Sequence, residues 1–428
     1  MKDKVAVFWY RRDLRLYDNK GLSKALQSGY KVLPIFIFDK DIIDALPKDD
    51  ARVNFIYNSL KEIDEKLKEF RSSLLVINGK PYEVWQELIE ADEIVEVYNN
   101  HDYEPYAIQR DTQIQSLLMS KGIEFHSFKD QVIFEKDEVV KNDGTPYTVY
   151  TPYKNKWLQT FSKEKDTQEY EIDFPNFLKE KVNFPTLNFI GFEESVIKVK
   201  PYSFSQISTY DVTRDFPAKN TTSYISPHLR FGTVSVREMV KKALDLNKVF
   251  LSELIWREFF MQILYHFPKV VTENFKSKYD AIPWRNNIEE FEKWCKGETG
   301  YPMVDAGMRE LNATGYMHNR VRMITAGFLC KHLLIDWRWG EAYFAEKLLD
   351  YELASNNGNW QWSSGTGCDA APYFRVFNPT EQLKKFDKDL QYVKTWVKDF
   401  EELSYPQPMV DHKLARERAI NTYKEVLK

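Results

Sequence analysis

Over the first 130 or so positions apolar residues come in short continuous runs, VAVFWY, KVLPIFIFD, SLLVI, EIVEVYN and IEFHSF. Between them lie longer stretches such as ARVNFIYNSLKEIDEKLKEF, in which apolar residues recur at the helical period. Runs that are apolar at every position suit strands buried on both faces, so the pattern predicts a parallel sheet with crossover helices. From about 135 to 205 the pattern dissolves into a Pro-, Lys- and aromatic-bearing stretch (NDGTPYTVYTPYKNKW, DFPNFLKEKVNFPTLNF), which reads as a long connector wrapped on the surface. Beyond 205 the periodicity is helical almost throughout. FLSELIWREFFMQILYHF and VDAGMRELNATGYMHNRVRMITAGFLCKHLLIDW are too apolar for surface helices and should pack on several sides. The expected organisation is an α/β N-terminal domain with a Rossmann-like parallel sheet over 1–130, a connector over 131–205 and an all-α domain over 206–428. No internal repeat or low-complexity tail interrupts it. The turn after the first strand, RRDLRLYDN, contains no glycine, which argues against a dinucleotide site there.

A length of 428 residues exceeds what one core supports, roughly 250–300 residues, and so agrees with more than one domain. Aromatic content of 15% is high. No apolar run approaches the roughly 20 residues that span a bilayer, and MKDKVAVFWYRRD is too weakly apolar for a signal peptide, so a cytoplasmic, membrane-free protein is expected, and a monomer. Cys295, Cys330 and Cys368 lie far apart without a CxxC pair, which argues against a disulfide framework, a cysteine-held structural zinc and a four-cysteine iron–sulfur cluster; no metal is expected. The net charge of −4 is uneven. Residues 1–200 carry 29 Lys+Arg against 35 Asp+Glu (−6), leaving 31 against 29 (+2) for the rest, so a local basic patch for nucleic acid is compatible with an acidic whole.

The chemistry concentrates in the helical half. NNGNWQWSSGTGCDAAPYF (356–374) sets two tryptophans among Asn, Gly, Ser and Thr, with three of the chain's 16 glycines, which implies a backbone that turns sharply or approaches something flat and polar. In SELIWREFF, Glu253, Trp256 and Arg257 share one helical face. In YMHNRVRM, Asn319 and Met323 share another, with Arg320 and Arg322 beside them. Singly, each reads more simply as a solvated ion pair or a core methionine. Together they supply aromatic plates, amides and a lone carboxylate, with no nucleophile triad, which suits a large planar cofactor and redox chemistry better than hydrolysis.

TTSYISPHLRFG (221–232), ELIWREFF (253–260), TGYPMVDAGMRELNATGYMHNRVRMITAGFL (299–329) and LLDYELASNNGNWQWSSGTGCDAAPYFRVFNP (348–379) closely resemble the photolyase/cryptochrome family, and WYRRDLRLYDN resembles its opening signature. The resemblance implies an antenna domain followed by a helical domain holding FAD. Tyr210, Thr222, Ser223 and Ser226 match contacts to its phosphates and ribitol. Phe250, often Trp in bacterial relatives, and Arg257, Asp350, Glu352 and Asn356 match contacts to its rings, Asn356 facing flavin N5. Many members carry Asp where this chain has Glu352. Trp360, Trp337 and Trp284 match an electron-hopping chain. Glu253, Asn319, Met323, Trp256 and Trp362 match the lesion pocket, and Arg214, Arg320, Arg322 and Arg375 match phosphate contacts on UV-damaged DNA.

The activity this implies is light-driven splitting of cyclobutane pyrimidine dimers by electron transfer from excited reduced FAD. A cryptochrome-type blue-light receptor is the alternative. Against it stand a complete lesion-pocket set and only about fifty residues after Asn378-Pro379. A non-light flavoenzyme lacks a second-substrate site. Repair of (6-4) photoproducts is disfavoured by Met323 and the absence of a pocket histidine. A second, antenna chromophore is expected to be something other than folate, because the Asn-Glu pair of folate-binding relatives is replaced by Tyr106-Ala107; a deazaflavin, a second flavin or none remain open.

Overall fold

The computed structural model describes residues 4–427. The chain divides into two compact units, each assembled from segments distant in sequence. The first contains the chain through Glu138, with Thr160–Tyr202 and Tyr224–Asp245; the second contains Val139–Gln159, Ser203–Ser223 and everything from Leu246 onward.

The first unit is built on a five-stranded parallel sheet, β1 (Val5–Tyr10), β2 (Lys31–Asp39), β3 (Leu75–Gly79), β4 (Ile94–Asn100) and β5 (Glu124–Phe128), in the order β3-β2-β1-β4-β5. The crossovers carry α1 (Lys20–Leu26), α2 (Ala51–Lys68), α3 (Pro81–Ala91) and α4 (Pro105–Ser120). All six residues of β1 are buried. Ala6, Phe8 and Tyr10 enter the core on one face, and Val5, Val7 and Trp9 enter the core on the other. This two-sided burial is why the strands read as unbroken apolar runs.

The glycine-free turn after β1 is filled with charge. Asp130 is held between Arg15 at 2.5 Å and Arg237 at 2.8 Å. Burial alone would raise the Asp130 carboxyl, but the two guanidiniums hold it below the usual carboxylate range. Arg12 reaches Asp102 at 3.2 Å and Glu104 at 3.1 Å. Side chains therefore occupy the space that a glycine loop would leave for a pyrophosphate.

The stretch expected to be a surface connector is not uniformly so. Within it α5 (Tyr150–Thr160) buries Tyr150, Tyr153 and Trp157 in the second unit, with Trp157 Nε1 donating to buried Glu258 at 2.5 Å. These aromatics lie at i, i+3 and i+7, one helical face, but the single aliphatic residue, Leu158, is exposed and Pro152 interrupts the pattern, so the periodicity is faint in the sequence.

The second unit is otherwise helical: α6 (Lys248–His266), α7 (Pro302–Thr314), α8 (Asn319–Gly327), α9 (Trp337–Lys347), α10 (Leu353–Ser364) and α11 (His412–Val426). A π-helical turn, Phe328–Leu333, continues α8. The core groups Trp294, Met308, Leu329, Trp337, Phe344 and Trp360, and α6 is buried around most of its girth, as its composition predicts. Among the described residues no helix is long and apolar enough to cross a membrane.

Candidate functional site

The first part of the glycine-rich stretch, through Ser364, folds as the end of α10. Gly365 ends it in the left-handed region, φ 88°, and its N–H reaches the Gln361 carbonyl at 3.0 Å. A Cβ at Gly358 would meet the Phe260 ring at 2.1 Å, so this glycine lets α10 close onto α6. What that backbone approaches is flat, as expected, but apolar. Gly340 does the same for Trp360, whose ring would lie 2.1 Å from an added Cβ.

Freed of bulk there, α10 turns Ser355, Asn356, Asn359, Trp360, Trp362 and Ser363 onto a cavity of about 590 Å³ including its mouth. Asn319, Arg322 and Met323 of α8 line the opposite side, and Phe344, Asp350, Tyr351 and Glu352 complete it. One cavity thus collects Asn319, Met323 and Trp362 from the expected lesion set, Trp360 from the electron chain, and Asp350, Glu352 and Asn356 from the expected cofactor set. His318 caps α8, its Nδ1 accepting from Arg320 N at 3.2 Å. Burial and then the nearby Arg322 push this imidazole down to about 4, so it is neutral at neutral pH.

The polar groups are oriented by partners. Arg322 binds Asp350 at 2.9 Å and the Met317 carbonyl at 2.8 Å. Expected on DNA phosphates, this arginine lines the cavity instead. Arg257 sits 3.3 Å from Glu352 Oε2, so the longer glutamate does reach a cation. Asn356 is buried and donates both amide hydrogens to Glu341, 3.0 Å to its carbonyl and 2.9 Å to its Oε1. Two acceptors on one side fix the amide's orientation and direct Oδ1 away from Glu341. Burial pushes the Glu341 carboxyl up, offset in part by this hydrogen bond. Glu341 was missed in the sequence; its partner lies fifteen residues on, in another helix.

The remaining candidates lie outside this lining. Glu253 is clasped by Arg214 at 2.5 Å. Burial raises the Glu253 carboxyl and the guanidinium opposes it, the net shift being upward. Trp256 is covered by Tyr150, ring centroids 3.6 Å apart and planes nearly parallel, with Phe260 stacked at 5.4 Å. Tyr210 packs edge-on against buried Phe250 at 5.3 Å. Thr222 is exposed and Ser223 half-buried in the second unit, whereas Ser226 opens the short helix Ser226–Phe231 of the first. Arg320 binds Asp215 at 2.6 Å and lies over Phe386 at 4.4 Å; Arg375 is exposed. Trp337 is fully buried, its Nε1 donating to Asn274 at 2.8 Å, and Trp284 packs at the margin of the same core.

A second unassigned group supports α10. Lys331, on the π-helical turn and 2% exposed, donates from Nζ to the Ser364 carbonyl at 2.6 Å and lies 3.7 Å over the Tyr423 ring. Burial pulls this ammonium down to about 7.

A parallel-sheet unit accompanies a helical unit whose cavity combines aromatic walls, an anchored amide and arginine–carboxylate pairs, a lining suited to a flat, polar ligand. The family described as "FAD binding domain of DNA photolyase" matches residues 250–404, and "DNA photolyase" matches residues 6–171. A deoxyribodipyrimidine photo-lyase of Synechococcus is 33% identical over 98% of this chain and 96% of its own. A bacterial class III photolyase structure from Agrobacterium tumefaciens superposes with a TM-score of 0.88 at 33% identity, covering 100% of this chain and 98% of its own. An archaeal photolyase from Sulfolobus tokodaii, solved with two FAD molecules, gives 0.86 at 35% identity over 98% and 100%. This chain belongs to the DNA photolyase family and contains its FAD-binding domain.

The residues fit that cofactor. Asn356, anchored through its NH2, offers an amide oxygen as a fixed acceptor. Trp360 and Phe344 supply apolar walls, and Arg322 and Arg257 supply guanidiniums whose charge is already balanced by carboxylates.

Proposed function

We propose that this chain is a light-driven DNA repair enzyme that splits cyclobutane pyrimidine dimers. Reduced FAD held in the cavity would supply, on absorbing blue light, the electron that opens the cyclobutane ring. The observation that carries the reading is the shared cavity: Asn319, Met323 and Trp362 line the same space as Asp350, Glu352 and Asn356, so the expected lesion and flavin residues border one another.

The chain's own groups have distinct tasks in this reading. Asn356 and Glu352 position the flavin ring, Asn356 by accepting at N5. Trp362 and Met323 offer the extruded dimer a stacking plate and a soft apolar surface, worth roughly 1–3 kcal/mol per stacked base. Asn319 donates an amide hydrogen to a base carbonyl. Glu253 does so only when protonated, since a carboxylate has no proton to give, and burial favours that form. In this reading both donors would serve the oxygens on which negative charge develops as the ring opens. The dipyrimidine is reached by extrusion, cheapest where a lesion already stacks poorly. Exposed Arg375 would hold a flanking phosphate, and Arg214 and Arg320 would do so only by sharing guanidiniums already paired with Glu253 and Asp215.

An antenna would sit at the carboxyl ends of β1 and β4, where strand order reverses. Trp9 is buried there with Arg11 at 5.1 Å and Arg110 at 5.0 Å, both guanidiniums already paired with Asp111, and it is the replacement of an Asn-Glu pair by Tyr106-Ala107 that speaks against folate.

Illuminating chemically reduced protein with oligonucleotides carrying one defined lesion tests the activity. Restored cyclobutane substrate with the (6-4) substrate untouched is the expected result. Failure on the first, or repair of the second, overturns the proposal.

A further inference from the structure

On the outer edge of the sheet, away from the residues used above, Glu96 of β4 stands directly opposite Glu124 of β5, and Tyr98 opposite His126. Alternation along each strand puts all four side chains on one face. Their donor atoms converge: one carboxylate oxygen of each glutamate and one ring nitrogen of His126 lie within 4.8 Å of one another, with His126 Nε2 3.2 Å from Glu124 Oε2. Two donors on one tetrahedral zinc, each about 2.0–2.1 Å from it, are separated by roughly 3.3 Å, so this pair is already at coordination spacing.

Two further features separate this arrangement from an ordinary acidic surface. Like charges directly opposite in a ladder are destabilising. Among the described residues no Lys or Arg forms an ion pair with Glu96 or Glu124; His126 lies against Glu124 and the Tyr98 hydroxyl against Glu96. In addition, buried Tyr98 fixes two of the three donors at once. Its hydroxyl donates to Glu96 Oε2 at 2.7 Å, and its ring lies 4.8 Å from the His126 ring. A ligand carboxylate held by an outer hydrogen bond and an imidazole held by ring packing is the support that metal ligands need.

We propose that Glu96, Glu124 and His126 form a binding site for a divalent transition metal of the zinc class. The imidazole and the small number of oxygens favour Zn²⁺ over Ca²⁺ or Mg²⁺, which require six or more oxygen ligands or a near-octahedral shell. Glu124 is exposed, its side chain 70% accessible, so water would complete the coordination. The ion would tie the edge strand β5 to β4.

The test is calorimetric titration of full-length, chelator-treated protein with Zn²⁺, repeated with Co²⁺ as an optical probe. The expected result is one saturable equivalent, with cobalt absorption bands of a four- or five-coordinate N/O site. His126→Ala and Glu124→Gln should each weaken it at least tenfold. Glu124 is exposed and His126 partly so, and unchanged circular dichroism would show that the variants fold. Zn²⁺ should also raise the melting temperature of the parent and leave that of His126→Ala unmoved. No saturable binding, binding of Ca²⁺ as tight as Zn²⁺, or zinc binding equal in parent and variants would each overturn the assignment.

Discussion

Glu253 shows how a single residue's role depends on its protonation. Burial raises its carboxyl and Arg214 restrains the rise, so the site holds a carboxyl close to a cation that can take the charge when the proton is lost. If its task is to donate to a base carbonyl, Glu253→Gln, which always donates, should keep repair near the parent level. Glu253→Ala should lose about tenfold in repair per photon absorbed, the effect of one hydrogen bond to a developing charge worth ~1.5 kcal/mol. Both should keep stoichiometric flavin. Equal repair in all three proteins would remove Glu253 from the mechanism. The residue types were legible in the sequence because Glu253, Trp256 and Arg257 fall on one helix face. Their partners were not, since Arg214, Tyr150 and Glu352 are 39, 106 and 95 positions away. The same limit hides Glu96, Glu124 and His126, which only the β4/β5 register brings together.

Among the elements, the strands were readable because two-sided burial demands an unbroken apolar run, and α6 because a helix packed on most sides has few polar positions. The α10 helix was readable only as an anomaly. Its glycines answer to Phe260 and to the left-handed C-terminal cap, while its polar residues answer to the cavity. Lys331 supports the end of this helix, and its titration reports on it. The folded value, about 7, lies below the ordinary 10.5, so between those limits the unfolded chain holds a proton that the folded one has lost. Stability from this group therefore rises with pH across that window, by up to ~1.4 kcal/mol per unit. The parent-minus-Lys331→Met difference in urea unfolding free energy should grow from pH 7 to pH 9. Parallel profiles would show that Lys331 is charged in the fold. In the same core, a Trp360–Trp337–Trp284 chain predicts that Trp337→Phe blocks photoreduction of oxidised FAD while sparing repair by chemically reduced protein. Equal photoreduction rates would exclude the chain.

For the whole molecule, DNA binding is an electrostatic matter, and the structure redistributes the expected contacts. Arg214, Arg320 and Arg322 are paired with Glu253, Asp215 and Asp350, leaving exposed Arg375 best placed to neutralise a phosphate. Affinity for damaged duplex should fall with salt, and Arg375→Ala should make the log–log slope shallower by about 0.9, one phosphate's worth. An unchanged slope would move the contact elsewhere. The domain order was legible at this scale, but the threading was not. Residues 139–159 belong to the helical unit although they precede much of the first, and they bring Tyr150 with them. Tyr150 lies flat on Trp256 at 3.6 Å, its hydroxyl tied to the Ser252 carbonyl at 2.6 Å. If Trp256 is the lesion wall the resemblance implies, the protein carries its own competitor for that indole face. Docking there would exchange one ring for another, and the affinity measured would be a difference between two stacks. With Tyr150→Leu the guest would no longer have to evict a resident, and stopped-flow association with lesion DNA should accelerate.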